Sequence, residues 1–267
     1  MREDAPVAAP FSPIRERDLA LGAEAAGELA GIVHLAETTS TQDAAFALGA
    51  PPRGARVVLA DLQTAGRGRR GRAWSSAGAS EVDRTLAITL IRHFDLPPRA
   101  LAPLGPTVGL VVAQALRGLG AEVSVKWPND LVHRDAKLAG LLIEARGDAV
   151  AIGLGVNLSL DALPGVEQPW TDLRRAGASA TRVAVLGAVL RALLPALARF
   201  EREGFAAFAA DWPALDALRG RSVRVMVGET ALEGEALGVA DDGGLRVRHA
   251  DGERVHHAGE VSVRVAA

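Results

Sequence analysis

Residues 122–130 read EVSVKWPND, an alternation of apolar and polar side chains that runs into a proline turn. The alternation predicts a strand over residues 122–127. Pro128 restricts Trp127 to extended conformations, so the chain leaves the strand end in a fixed, non-helical turn. A cation, an amide and a carboxylate then share one small volume, namely Lys126, Asn129 and Asp130. On its own, this pattern also fits an ordinary turn whose lysine lies in solvent.

Strand-like runs continue on both sides of this segment. Short runs rich in Val, Ile and Leu predict strands over residues 56–61, 85–91, 138–145 and 149–158. Longer periodic runs predict helices over Leu104–Gly118 and residues 183–203, with Pro195 as a candidate break in the second. This order of elements predicts an α+β fold, a mixed sheet covered by helices.

The sequence pattern changes near residue 218. Alternating runs follow at residues 222–227, 232–239, 245–249 and 261–265, with hairpin-turn signals at residues 241–244 and 251–252. They predict a small β-barrel. The chain therefore divides into an N-terminal extension (1–30), a larger domain (31–216) and the barrel (217–267). The extension has room for about one helix, so a helix-turn-helix does not fit there and we expect no DNA binding by it.

Composition limits the function classes. The chain has 267 residues, 30 Lys and Arg, 32 Asp and Glu, and a formal net charge of −2, so a basic site has to be local. With no cysteine, disulfides, thiolate zinc sites and cysteine nucleophiles are excluded. The N-terminus does not resemble a signal peptide, and the longest uncharged stretch, residues 100–116, is shorter than the roughly 20 residues that span a bilayer. We expect a cytoplasmic protein whose scattered histidines lie at the surface.

A glycine and arginine loop, GRGRRGR at residues 66–72, precedes Trp74. Four guanidiniums so close together repel one another unless an anion lies among them, and glycine lets the backbone approach that anion. The loop formally matches G-x-G-x-x-G, but a dinucleotide site needs a helix to begin there, and this chain continues into Trp-Ser-Ser. A Rossmann site is therefore excluded. A solvated basic loop and an RG-type contact with RNA remain the alternatives to an anion pocket.

Lys137 opens the apolar run KLAGLLIEA, residues 137–145. Lysine is rarely drawn into such a run without a charge to meet, and an anionic ligand would be one. A lysine that extends its charged end to solvent from a strand edge is the alternative.

Together and in this order, the arginine loop, the Lys-Trp-Pro-Asn-Asp turn and the Lys-Leu-Ala-Gly strand resemble the hallmark motifs of the biotin protein ligase family. Further similar positions are Thr39, Ser40, Thr41, Gln42, Gln63, Gly153, Gly155, Asn157 and Trp170. The resemblance extends from residue 32 to the C-terminus. It implies a class II synthetase-like catalytic domain, an SH3-like C-terminal barrel, and the short bacterial form that lacks the DNA-binding domain.

The resemblance also implies an activity. Such a ligase activates biotin with MgATP to biotinyl-5′-AMP and pyrophosphate, then passes biotin to one lysine of a biotin carboxyl carrier protein or domain. Both steps gather negative charge, which cations must offset. The family's catalytic cations match Arg69, Lys126 and Lys137.

The ligand contacts of the family match further positions of this sequence. Its biotin contacts match Ser40, Thr41, Gln42, Gln63, Arg67, Gly68, Arg69, Lys137 and Gly140. Its ATP contacts match Arg69, Arg70, Trp74, Lys126, Asn129, Asn157 and Trp170. Asp130 is the candidate Mg²⁺ ligand, although it could equally cap its own turn.

The sequence departs from the family pattern in two places. An insertion, residues 79–84, follows Gly78, and position 42 holds glutamine where many relatives hold asparagine. A lipoate protein ligase shares the fold and the adenylation chemistry, but its motifs differ. A noncatalytic RNA-binding module is an alternative of another class. We expect a carrier protein as partner, no DNA and no membrane, and the sequence leaves a homodimer open.

Overall fold

A computed structural model of the chain describes residues 12–74, 83–163, 165–166, 168–258 and 261–265. Its α-helices are α1 (Ala23–Gly27), α2 (Thr41–Leu48), α3 (Leu104–Gly118), α4 (Arg182–Glu203) and α5 (Ala206–Ala209). Its strands are β1 (Leu29–Thr38), β2 (Ala55–Gln63), β3 (Thr85–His93), β4 (Ser124–Lys126), β5 (Asp130–His133), β6 (Ala136–Arg146), β7 (Ala149–Asn157), β8 (Ser222–Val227), β9 (Thr230–Val239), β10 (Leu245–His249), β11 (Gly252–His256) and β12 (Val261–Val265).

A seven-stranded sheet, in the order β1-β2-β3-β7-β6-β5-β4, forms the larger part of the molecule. β1 pairs with β2 in parallel, whereas the other neighbours are antiparallel. Alternate side chains of β2 face opposite sides of the sheet. Val57 and Leu59 join the main core with α3 and α4, while Val58 packs with Ala45 of α2 on the other face. The predicted mixed sheet covered by helices is confirmed.

Two strands of this sheet are absent from the sequence prediction. β1 is a partly exposed edge strand without a clean alternation, and β5 has only four residues. The Lys-Trp-Pro-Asn-Asp turn is the hairpin between β4 and β5, with Lys126 opposite Asp130. The strand predicted over 122–127 is shorter in the structure: it begins at Ser124, and it ends at Lys126 because Trp127 already belongs to that turn.

Helix α3 has its predicted bounds, and α4 runs unbroken through Pro195. The predicted break is therefore absent. A proline removes one backbone hydrogen bond from a helix, and burial of the surrounding leucines against the core offsets that loss. Segments Pro98–Gly118 and Arg182–Glu203 are long and apolar enough to cross a membrane by length and composition alone, but half or more of each is buried inside the fold. We therefore interpret them as core helices.

The C-terminal strands form an antiparallel sheet in the order β11-β10-β9-β8-β12, which corresponds to the predicted barrel. The unpredicted strand is β11, whose sequence GERVH is mostly polar. This sheet packs on the larger part through the turn after β9. There, the buried Trp127 Nε1 donates to the Gly243 carbonyl at 3.0 Å. Gly243 has φ +75°, and a Cβ at this position would lie 2.6 Å from Pro103. The domain limits at 30/31 and 216/217 stay predictions.

The expectation that the histidines lie at the surface is wrong for three of them. His249 and His256 are buried side by side in the C-terminal sheet, with their Nε2 atoms 2.9 Å apart. The His34 side chain is 3% exposed and contacts Asp61 at 2.6 Å. Within the described residues, no group of three or more His, Cys, Asp or Glu side chains could hold a metal ion.

Candidate functional site

A cavity of about 810 Å³ lies between the start of α2, the arginine loop and strands β2, β3, β6 and β7. Most of the predicted site residues line it: Ser40, Thr41, Gln42, Gln63, Arg67, Gly68, Arg69, Trp74, Asn129, Lys137, Gly140, Asn157 and Trp170. Three predicted site residues are not among the described residues of the cavity wall, namely Arg70, Lys126 and Asp130. The fold thus gathers segments that are far apart in sequence.

One end of the cavity is polar. Ser40 caps α2, its hydroxyl accepting a hydrogen bond from the Gln42 amide at 3.2 Å, as a serine before a helix is expected to do. Gln63, at the end of β2, accepts bonds through Oε1 from the Thr41 backbone N–H at 2.8 Å and from the Thr41 hydroxyl at 3.1 Å. Hydroxyl and amide groups therefore meet here, and both can donate and accept hydrogen bonds.

Gln42 lies at the floor of the same end and is buried. Its Nε2 donates to the carbonyls of Leu142 at 3.3 Å and Ala151 at 3.2 Å, which joins α2 to both β6 and β7. Its Oε1 lies 2.7 Å from where a Cβ on Gly153 would be. The longer amide at position 42 thus braces the cavity floor. Its predicted contact with biotin stays a prediction.

The arginine loop folds as a small hairpin. Arg67 and Ala73 form a β-bridge, and the Trp74 amide donates to the Gly66 carbonyl at 2.8 Å. A Cβ on Gly66 would lie 2.5 Å from the Trp74 carbonyl oxygen. Gly66 is therefore required by the close approach of the loop's own backbone. The prediction assigned the loop's glycines to the approach of an anion.

Arg69 points from the loop towards the strand-end turn. Its Nη1 donates to Asn129 Oδ1 at 2.9 Å, and its Nη2 donates to the Ala258 carbonyl near the C-terminal sheet. Burial lowers the pKa of the Arg69 guanidinium, and nearby Asp130 acts in the opposite direction. The charge of Arg69 is thus partly removed from water. A charge outside bulk water interacts more strongly with an anion. Arg70 is exposed, at φ +58°.

The Trp74 side chain lies against the sheet at two glycines. A Cβ on Gly155 would be 2.3 Å from its ring, and one on Gly140 would be 3.3 Å from it. The indole Nε1 is buried and has no hydrogen-bond partner. A buried donor without a partner is costly, so this N–H is suited to a ligand acceptor.

Lys137 is the second residue of β6. Its Nζ lies 2.7 Å from Asp130 Oδ1 and 5.8 Å from the centre of a Trp74 ring. Its backbone is bonded on both sides of Trp170: the Lys137 amide donates to the Pro169 carbonyl, and the Thr171 amide to the Lys137 carbonyl, each at 2.9 Å. The strand thus fixes one cation and one aromatic ring of the cavity together.

The second lysine, Lys126, lies across the hairpin from Asp130. Burial lowers the pKa of Lys126, while Asp130 and Asp135 oppose that shift. Asp130 itself is paired with Lys137, and one engaged carboxylate outside the cavity wall is a poor fit for a resident Mg²⁺. Asp130 as a metal ligand stays a prediction, as does the catalytic role of Lys126.

Asn157 and Trp170 form the far side. Asn157 Nδ2 donates to the Thr171 carbonyl at 2.9 Å, which leaves its buried Oδ1 without a partner. Arg175 stacks on Trp170, with its guanidinium carbon 5.0 Å from the ring centre, and is bound to the buried Asp172 at 2.6 Å. An acceptor and a held aromatic surface therefore face the same space.

Sequence reasoning did not assign several residues of the wall, among them Arg72, Thr89 and Arg264. Arg72 belongs to the arginine loop itself. Thr89 is one of two threonines in the mostly apolar β3, and its Oγ1 lies within hydrogen-bond distance of Thr41 Oγ1, at 2.9 Å, and of Gln42 Oε1, at 3.1 Å. Arg264 is on β12 in the C-terminal sheet, and only the packing of the two sheets brings it to the cavity. The insertion at residues 79–84 falls largely outside the described residues.

Comparison with known proteins bears on this arrangement. Residues 34–159 match the model of the biotin/lipoate A/B protein ligase family, and residues 219–264 match the biotin protein ligase C-terminal domain. The bifunctional ligase/repressor BirA of Escherichia coli is 36% identical over 218 residues, which are 79% of this chain and 67% of that protein. The biotin--[acetyl-CoA-carboxylase] ligase of Paracoccus denitrificans is 34% identical over 85% of this chain and 98% of its own length.

A solved structure agrees with the sequence matches. The biotin protein ligase of Aquifex aeolicus in complex with biotin and ATP superposes with a TM-score of 0.76 at 28% identity, covering 88% of this chain and 99% of that one. The two domain matches, the near full-length likeness to the Paracoccus enzyme and the shared fold lead to one conclusion. The chain belongs to the biotin protein ligase family.

Proposed function

We propose that the cavity binds biotin and ATP side by side and joins them as biotinyl-5′-AMP. The observation that carries this proposal is the distribution of groups in one cavity: hydroxyl and amide groups at Thr41 and Gln63, and the cations Arg69 and Lys137 along the wall. The hydroxyl and amide groups suit the neutral polar ring of biotin, and the cations suit the reacting carboxylate and phosphate. The Aquifex relative, whose structure contains biotin and ATP, supports the same pair of substrates.

In the first step, a carboxylate oxygen of biotin attacks the α-phosphorus of ATP. A bond from that oxygen to phosphorus forms, the bond to the β-phosphate bridge breaks, and pyrophosphate leaves. Arg69 and Lys137 would offset the repulsion between the two anions. Magnesium, when bound to the nucleotide, would supply further charge neutralisation. The indole N–H of Trp74 and the Asn157 oxygen offer a donor and an acceptor to the ligands.

In the second step, the amine of a carrier lysine attacks the acyl carbon of the adenylate. An amide bond forms, AMP leaves, and the proton of the amine passes to solvent. The name of the Paracoccus relative indicates an acetyl-CoA carboxylase as acceptor, so we propose its biotin carboxyl carrier domain as the partner. We propose further that the enzyme acts in the cytoplasm, where it would meet such a partner and ATP, without a role at DNA or a membrane. A sedimentation measurement would decide whether the enzyme acts as a homodimer.

The choice between biotin and lipoate is tested by pyrophosphate exchange. The protein should return labelled pyrophosphate to ATP when biotin is added, and lipoate should give only the background rate. Exchange that depends on lipoate and not on biotin would overturn the proposed function.

A further inference from the structure

Acidic side chains of two other elements hold Arg67. Its Nη2 donates to Asp43 Oδ1 and to Glu144 Oε2, each at 2.9 Å, and its Nη1 donates to Glu144 Oε1 at 3.1 Å. Asp43 lies in the first turn of α2, and Glu144 lies near the end of β6. We refer to Asp43, Arg67 and Glu144 as the arginine clamp.

The geometry of the clamp determines how much its ion pairs stabilise the closed loop. The three side chains are 31–46% exposed, and an isolated ion pair at such exposure contributes little. A forked, two-bond contact between arginine and a carboxylate is stronger, and here a second carboxylate completes a network. Arg146 adds another cation 3.6 Å from Asp43. The clamp is therefore of the kind that contributes measurably.

What the clamp holds is the whole arginine loop. Arg67 is bridged to Ala73, and the next residue, Trp74, is bonded to Gly66. A tether on Arg67 is therefore a tether on the hairpin and on the indole that packs against Gly155. Because α2 and β6 both border the cavity, the clamp joins the loop to two of its walls.

The clamp also limits what Arg67 can do. Both of its terminal nitrogens donate to carboxylates, so its charge is already offset within the chain. The other cations of the described wall are Arg69, Arg72, Lys137 and Arg264, of which Lys137 is itself paired with Asp130.

We propose that Asp43 and Glu144 are positioning residues that hold the arginine loop over the cavity through Arg67. The consequence for biotin rests on the proposed function, whereas the tether itself does not. Arg67 acts in closing the loop, and the reacting anions are met by other cations.

Limited trypsin digestion tests the tether without any substrate. Cleavage after Arg70 and Arg72 follows the population of the open loop. Asp43→Asn and Glu144→Gln keep the shapes of the side chains and remove their charges. Each should speed this cleavage about threefold, and the double variant about tenfold, as expected for a network of partly exposed ion pairs. Glu235→Gln is the matched control, because Glu235 has a similar exposed pair with Arg248, at 2.9 Å in the C-terminal sheet.

Kinetics then separate positioning from a general loss of structure. In biotin-dependent pyrophosphate exchange, Asp43→Asn and Glu144→Gln should each raise the KM for biotin about threefold, and the double variant about tenfold. All three should change kcat less than about twofold, since a contact that closes the loop acts on binding more than on chemistry. In an Arg67→Ala background, Glu144→Gln should have no further effect, because the partner of the contact is already gone.

The proposal is overturned if the acidic variants are cleaved at the rate of the Glu235→Gln control. It is equally overturned if Glu144→Gln lowers the KM for biotin, since a released Arg67 would then be binding the substrate directly. If wild-type protein shows no exchange at all, the proposed function fails, while the cleavage rates still decide the tether.

Discussion

Lys137 carries a charge into the cavity just before the apolar stretch of β6, residues 138–143. Lys137→Ala should reduce biotin-dependent pyrophosphate exchange by about a hundredfold or more, the cost of removing one group that offsets transition-state charge. Arg248→Ala is the control, because it removes an exposed cation from the C-terminal sheet. Exchange at the wild-type rate in the Lys137 variant would show that this charge is not needed.

Gly155 is required by contact with Trp74. A Cβ there would lie 2.3 Å from the indole ring, so Gly155→Ala should displace the ring and raise the KM for ATP by about tenfold, in line with an overpacking cost of about 1–3 kcal/mol. Gly118→Ala, on a helix and with nothing within 4 Å of the new Cβ, provides the control. An unchanged KM and unchanged indole fluorescence in the Gly155 variant would contradict this packing.

The residues that sequence could identify are those concentrated in short motifs. Four arginines in one loop and a lysine ahead of an apolar strand are local signals. The partners of Arg67 lie 24 and 77 residues away, and Thr89 is one of two threonines in a mostly apolar strand. Such contacts form only when the sheet is assembled, so no local sequence pattern predicts them.

At the scale of elements, the arginine loop would retain the finished adenylate. Arg69 ties the loop to Asn129 and to the Ala258 carbonyl, so Arg69→Gly should loosen the loop while the charges of Lys126 and Lys137 still support activation. Released adenylate reacts with free amines. The variant should therefore biotinylate serum albumin that the wild type leaves unmodified, at equal biotin and ATP. A variant that forms adenylate but labels albumin no more than wild type does would refute this role.

Regular, buried elements were the predictable ones. α3 has its predicted bounds because ten of its residues are buried and the period is clear. The candidate break at Pro195 does not occur, because packing against the core stabilises α4, and that packing cannot be read from the local sequence. β1 and β11 are edge strands with mixed exposure, where alternation is weakest.

At the scale of the molecule, the chain contains only two lysines, Lys126 and Lys137, against 28 arginines. Both are partly buried, and Lys137 is paired with Asp130. A guanidinium is not a nucleophile at neutral pH, so the surface offers few amines to a reactive adenylate.

Self-labelling tests this property. The Arg69→Gly variant should modify albumin and carry no biotin on its own side chains. Adding Arg248→Lys, at a position 60% exposed, should create a labelled site that mass spectrometry locates. Biotin on Lys126 or Lys137 in the single variant would show that burial does not protect them.

The central claim, that one cavity joins biotin to AMP, is tested most directly by the intermediate itself. The purified full chain is incubated with biotin, ATP and Mg²⁺, separated from free ligand, heated, and the released molecule analysed by mass spectrometry. We expect the mass of biotinyl-5′-AMP, lost when biotin is omitted and absent from the Lys137→Ala variant. Release of unreacted biotin and ATP alone from the wild-type protein would contradict the account.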